Sequence, residues 1–256
     1  WTFLVGASLS SACGLAGASL FPGFSIPVWG CLHAAAAAVL VALNRYAGFQ
    51  RVMKILIGVM ALCVFASAVL ARPDPAEFAG GLLRPRLPDG GGGAVLALLG
   101  GIGGSLTVVC YGYWLRESGW QGAERLRTVR ADVRLAYTFT GLFGIALVII
   151  AAGVDAPAAG GTRIALEVAE RLQATAGPIA HAVFLAGFWC TVFTAMLGVW
   201  QGVPSVYVDL VAAWRGGPPD PRRDRTTYLL ALGFLAGPPL FLLWFRQPVA
   251  VVLTFS

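Results

Sequence analysis

Two features of this sequence could do chemistry, and both lie inside apolar runs. The first is GAVLALLGGIGGSLTVVCYGYWLRESGW at 93–120, where Gly100, Gly101, Gly103 and Gly104 are followed by Ser105 and Thr107. Glycine in a helix costs about 0.8–1 kcal/mol relative to alanine, so something must offset four of them. One way is close helix packing, since Gly100 and Gly104 form a GxxxG spacing and small residues let backbones approach. The other is a break in the helix. An interrupted membrane helix exposes carbonyls and half-helix ends that coordinate ions near the bilayer midplane, and glycines followed by hydroxyl residues suit that role. Both readings stay open from spacing alone.

The second feature is Asp209 in QGVPSVYVDLVAAW, the one acid embedded in an apolar run. A carboxylate at membrane depth is costly and marks a functional candidate. The apolar stretch from Pro178 to Trp214 is longer than one span needs, which places Asp209 near its end, where a carboxylate is cheaper. It is a candidate for an ion path, or else for a helix-end pairing with a residue such as Arg215. Gly202 and Pro204 point to a kink nearby.

The remaining reactive side chains carry less. Cys13, Cys31, Cys63, Cys110 and Cys190 lie in apolar runs without CxxC spacing and read as small hydrophobes. His33 and His181 have no partner at i+4 and are not assigned as metal ligands. No Ser/His/Asp, paired-carboxylate, HExxH or phosphate-cradling set occurs in the loops, which argues against an enzyme, and no cofactor is implied.

The elements that must position these residues follow from composition. With 58% hydrophobic and 12% charged residues among 256 and a mean hydropathy of +0.77, the chain is far more apolar than soluble domains, which are about 45–50% apolar and 25% charged. A bilayer core needs about 20 apolar residues of helix. Spans are expected near 2–20, 27–43, 55–71, 94–115, 135–153, 178–200 and 227–245, with another starting at 248. Runs of this length must be helical, because lipid offers the backbone no partners. The fold class is therefore all-α, a polytopic helical membrane protein, with residues 1–256 as one transmembrane domain. The chain opens at Trp1 inside an apolar stretch with no Met and no charged leader, so it is expected to be the middle of a longer protein.

Basic loops set the expected orientation. Segment 44–54 carries Arg45, Arg51 and Lys54; 116–134 carries Arg116, Arg125, Arg127, Arg130 and Arg134; 214–225 carries Arg215, Arg222, Arg223 and Arg225. These three should be cytoplasmic, since segments 72–92 and 154–176 balance their bases with acids. The net charge of +6 then reflects topology and contact with anionic lipid rather than nucleic acid. The Pro- and Gly-rich segment 72–93 reads as a non-helical connector. Ile164, Val168 and Leu172 give 161–173 the spacing of a short helix covering the surface.

The order of spans and three quoted stretches carry a family resemblance. GGIGGSLTVVCYGYWLRESGW followed by LRTVRADVRLAYTFTGLFGIALVIIAAG, together with FSIPVWG at 24–30 and GFQRVMKILIGVMALCVFASAVLA at 48–71, resembles the natural resistance-associated macrophage protein (Nramp) family of divalent-metal transporters. The resemblance implies helices three to nine and the start of the tenth in that family's inverted five-plus-five fold, and a membrane location, expected to be the bacterial plasma membrane. The family's sixth helix typically carries a Gly-Ala-Thr-Val-Met-Pro-His-Asn type motif, whose Ala carbonyl and Met sulfur bind the metal. Gly103, Gly104, Ser105, Leu106, Thr107, Val108, Val109 and Cys110 occupy that stretch, so Gly104 and Thr107 stand at the two ligand positions.

Loss of the thioether removes the soft ligand, and oxygen ligands suit hard cations such as Mg2+ or Mn2+. This is similar to the Nramp-related magnesium-transporter branch. The region GASLSSACGLAGAS at 6–19 has no acid where proton-coupled members carry one, and Val109 replaces the motif's His. The expectation is facilitated divalent-cation movement by alternating access without proton coupling. The ion path would include Gly103, Ser105, Leu106, Cys110 and Asp209. The family's Asp-Pro-Gly-Asn motif lies on a first helix outside this chain, which is not expected to transport by itself. The alternatives are a superfamily transporter for an amine or amino acid, and a membrane subunit whose glycines only pack.

Overall fold

A computed structural model describes residues 2–43, 46–84, 92–93, 95–96, 105–120, 122–152, 163–217 and 224–244. Among these the chain is helical and contains no strand, only an isolated bridge between Pro22 and Phe24. In chain order the helices are α1 (Thr2–Leu20), α2 (Ile26–Leu43), α3 (Tyr46–Leu70), α4 (Pro75–Leu83), α5 (Ser105–Glu117), α6 (Leu126–Ala151), α7 (Arg163–Ala176), α8 (Pro178–Trp214) and α9 (Arg225–Ala236). Short 3-10 turns precede α6 at Ala123–Arg125 and follow α9 at Pro238–Trp244. Among the described residues six segments are long and apolar enough to cross a membrane: Thr2–Leu20, Ile26–Leu43, Gly48–Leu70, Ala123–Ala151, Pro178–Trp214 and Arg225–Trp244. Residue 94 and residues 97–104 of the expected span at 94–115, and all of the one beginning at 248, lie outside the described residues.

Helix α8 organises the bundle, packing against α1, α2, α3, α5, α7 and α9. Its first half, through Phe184 and Leu185, joins Val64 of α3, Ile150 of α6 and Leu172 of α7 in one apolar cluster. Its second half, through Met196, Trp200 and Val203, joins Cys13 of α1, Ala34 of α2, Cys110 of α5 and Leu235 of α9 in another. Between helices in lipid no hydrophobic force discriminates partners, so close approach of small residues must. Helices α1 and α2 meet in this way. A Cβ on Gly30 would lie 2.7 Å from the Ser10 carbonyl oxygen, and one on Gly14 would strike the Ile26 carbonyl. Leu62, Val69, Leu135, Val148 and Leu210 are among the apolar side chains that point outward, as expected of surfaces that face lipid.

Several boundaries differ from the sequence reading. Helix α3 begins at Tyr46 and α6 at Leu126, so Arg51, Lys54, Arg127, Arg130 and Arg134 sit on helices rather than in loops. No residue at 50–54 or 127–134 breaks a helix, and Phe49 is buried in the core, so the helical ladder continues into the basic segment. The segment 72–93 is not wholly non-helical, because α4 occupies Pro75–Leu83. Asp74 starts it: its Oδ1 accepts from the Ala76 N–H at 2.7 Å, and Pro75 takes the first helical position, where its missing N–H costs nothing. The last span is α-helical only to Ala236; Gly237, Pro238 and Pro239 turn the rest into 3-10 helix. Helix α7 buries Val168, Ala169 and Leu172 and packs on α8.

Two helix ends share one design. In α5 the Trp120 N–H bonds the Leu115 carbonyl and the Gly119 N–H bonds that of Arg116; in α8 the Gly217 N–H bonds Ala212 and the Gly216 N–H bonds Ala213. These are Schellman caps, which require a left-handed residue, and Gly119 and Gly216 both have φ of 70°. Each helix has an arginine at this end, Arg116 and Arg215, where a cation favours the helix dipole.

Candidate functional site

The candidate residues converge on the seam between α5 and α8. On α5, Cys110, Tyr113 and Trp114 recur at i, i+3 and i+4 and so share one face. Facing them on α8 are Gln201, Gly202 and Asp209. Gly202 is the notch: a Cβ there would lie 2.7 Å from Cys110 Sγ and 2.9 Å from its Cβ. On either side of this contact are polar bonds. The Tyr113 hydroxyl donates to Asp209 Oδ2 at 2.5 Å, and the Trp114 indole N–H donates to Gln201 Oε1. The Arg116 guanidinium lies 5.1 Å from the centre of the Tyr113 ring, within cation–π range.

Further bonds tie this seam to its neighbours. Tyr228 of α9 donates to the Gln201 carbonyl at 3.1 Å, and Tyr111 of α5 donates to Asp132 of α6 at 2.8 Å. Thr2 of α1 and Tyr207 of α8 pair their hydroxyls at 3.0 Å. Asp209 is half-buried, and its second oxygen, Oδ1, is buried with no hydrogen-bond partner among the described residues. A carboxylate with one oxygen held and the other free retains acceptor capacity for a passing cation or water. Arg215 does not pair with Asp209. It faces Asp224 at 3.6 Å across the connection from α8 to α9, because Asp209 lies more than a turn earlier on α8. Hydrogen bonds from the Thr227 hydroxyl and backbone N–H, with help from Arg215, hold the Asp224 carboxyl below the ordinary carboxylate range.

The glycine-rich residues Gly103 and Gly104 lie outside the described residues. Ser105 is the first residue of α5 and Thr107 falls in its first turn. Leu106 is half-buried against the cluster around Trp200, and Cys110 is buried on Gly202. The structure thus brings Cys110 and Asp209 to one helix pair. Sequence reading missed Tyr113 as the partner of Asp209 and Gln201 as the partner of Trp114. A tyrosine at i+3 from Cys110 was the available signal, but an aromatic at that spacing usually packs or anchors.

His33 is no open ligand. Its Nε2 accepts from the Trp189 indole N–H at 2.8 Å, which leaves Nδ1 to donate to the Trp29 carbonyl at 2.7 Å. Both ring nitrogens are thereby used inside a cluster with Trp29, Trp189 and Phe193. Among the described residues no group of three or more His, Cys, Asp or Glu side chains could hold a metal ion. The five cysteines are free thiols, with Cys13, Cys110 and Cys190 buried.

Six apolar spans among the described residues, one of them a hub helix, together with small-residue notches and a polar seam within the bundle define a polytopic helical membrane protein. The chain belongs to the natural resistance-associated macrophage protein-like (Nramp) family, whose model matches residues 3–256. It is 37% identical over 128 residues to a protein of Chromohalobacter salexigens described as the divalent metal cation transporter MntH. That match covers 44% of this chain and 29% of the relative's length. No solved structure matches the chain significantly.

Proposed function

We propose that the protein containing this chain transports a divalent cation across a bacterial plasma membrane, and that the cation is hard, Mg2+ or Mn2+. The family match over residues 3–256 carries this reading, and the described function of the Chromohalobacter salexigens relative supports the cargo class. Gly104 would offer a backbone carbonyl and Thr107 a hydroxyl or a water contact to the ion. Oxygen donors favour hard ions, and a site without thioether loses its preference for soft ones. Gly103, Ser105 and Leu106 would form the junction where the helix is interrupted, and Cys110 and Asp209 would lie along the route that leads away from it. The basic segments 44–54, 116–134 and 214–225 would face the cytoplasm, in line with their arginines.

Transport would proceed by alternating access, with one midplane site exposed to each side in turn. Proton coupling is not expected, because α1 carries Ser10 and Ser11 in GASLSSACGLAGAS and no acid or histidine. The test is uptake by the full-length parent in liposomes, comparing Mg2+, Mn2+, Ca2+ and Cd2+ with a pH dye inside. Entry of Mg2+ or Mn2+ without acidification, and a gain of Cd2+ preference in Thr107→Met, would support the reading. Robust acidification would overturn the uncoupled mechanism, and failure of every divalent ion to move would overturn the cargo class.

A further inference from the structure

We propose that the hydrogen bond from Tyr113 to Asp209 is a latch that keeps α5 seated on α8, and that a cytoplasmic path opens along the Cys110 and Gly202 contact when it breaks. The proposal rests on the alternating-access reading, in which the half-helix after the glycine run must move against a fixed scaffold. Helix α8 is the scaffold, since it packs on six other helices and is buried in both apolar clusters. Helix α5 is joined more lightly, and α8 is its principal partner among the described helices. Contacts on one face that hold it there include Cys110 on Gly202, Trp114 to Gln201, and Tyr113 to Asp209.

These contacts differ in what separation costs. The bare notch at Gly202 lets Cys110 approach until its Sγ fills the space, but contact between small residues provides little resistance to sliding. The Gln201 partner is itself tied to α9, because its carbonyl accepts from Tyr228, so that end belongs to the scaffold. Tyr113 to Asp209 is the charge-assisted bond, short at 2.5 Å, and bonds of this kind are about twice as strong as neutral ones. The other Asp209 oxygen is buried and has no partner among the described residues. Holding the carboxylate therefore depends on Tyr113, and releasing Tyr113 leaves both oxygens open toward the parted seam. Arg116, stacked on the Tyr113 ring one turn from the α5 cap, keeps the ring at the seam.

Cys110 reports the state of this seam without reference to any transported ion. The experiment uses the full-length parent in membranes with Cys110 as its only cysteine and follows the rate of modification by a thiol-reactive maleimide. Tyr113→Phe removes one oxygen and keeps the packing; it should raise the Cys110 rate about tenfold to a hundredfold, the range that losing one hydrogen bond to a charged group implies. Asp209→Asn can still accept from Tyr113 and should stay nearer the parent's rate than Tyr113→Phe does. A matched protein with Cys190 as its only cysteine, buried elsewhere on α8, should be unaffected by Tyr113→Phe. An unchanged Cys110 rate in Tyr113→Phe overturns the latch, as does an equal rise at Cys190, which would mean general loosening. Because labelling needs no cargo, a failed uptake assay with a responsive Cys110 would remove the cation reading and leave the latch standing.

Discussion

Gly202 of α8 and Cys110 of α5 sit so close that the glycine's missing methyl group is part of the packing, with Cys110 Sγ 2.7 Å from where a Cβ would be. The contact is flanked by the bonds to Gln201 and Asp209, so displacement at this point is passed to both.

Gly202→Ala should therefore separate α5 from α8 by several tenths of an ångström and cost about 1–3 kcal/mol, the range for overpacking a filled interface. Thermal unfolding in detergent would read the loss. In the Cys110→Ala background, where the closer of the two contacts is gone, the same substitution should cost less. Equal costs in both backgrounds would show that Cys110 is not what the new methyl group meets.

His33 and Trp189 form a second testable pair. His33→Phe leaves the Trp189 N–H without its acceptor inside an aromatic cluster, and an unsatisfied buried donor costs about 1–3 kcal/mol. Removing both groups, in His33→Phe with Trp189→Phe, leaves no orphan. A double-mutant cycle should give a coupling of about 0.5–3 kcal/mol, with the double variant more stable than the sum of single losses predicts. Strict additivity would mean that the bond from Trp189 to His33 contributes nothing in the membrane protein.

Asp224 supplies a pH dependence at the end of α8. Its carboxyl is held below the ordinary range by Thr227 and then by Arg215. A depressed folded-state pKa gives stability that is present above the unfolded value of about 3.9 and is lost as pH falls through the folded value. The melting-temperature gap between the parent and Asp224→Ala should be widest near neutrality and shrink as pH drops below about 4. A gap that stays constant down to pH 3 would assign Asp224 a role independent of its charge.

How much of this was legible in the sequence varies from residue to residue. Asp209 stood out, because a lone acid in an apolar run is conspicuous without a structure. Its partner did not: Tyr113 looks like any interfacial aromatic until α5 is laid beside α8. Gly202 read as half of a kink with Pro204, and in the bundle it is a packing notch. Packing glycines and hinge glycines have the same local chemistry, and only the neighbouring helix tells them apart. Helix α4 was legible after the fact, since Asp-Pro-Ala-Glu at 74–77 is a helix start, but the surrounding prolines and glycines masked it.

By itself the sequence determined that this chain is helical and lies in a membrane, because the cost of burying unpaired backbone in lipid leaves long apolar runs no other structure. Its charges also marked which ends carry the arginines. Only the tertiary structure decided which helices touch and which polar groups meet: Tyr113 with Asp209, Trp114 with Gln201, His33 with Trp189. Those pairs join residues far apart in the chain, and in an apolar medium their choice depends on shape and hydrogen-bond reach, which no local pattern of hydrophobicity encodes.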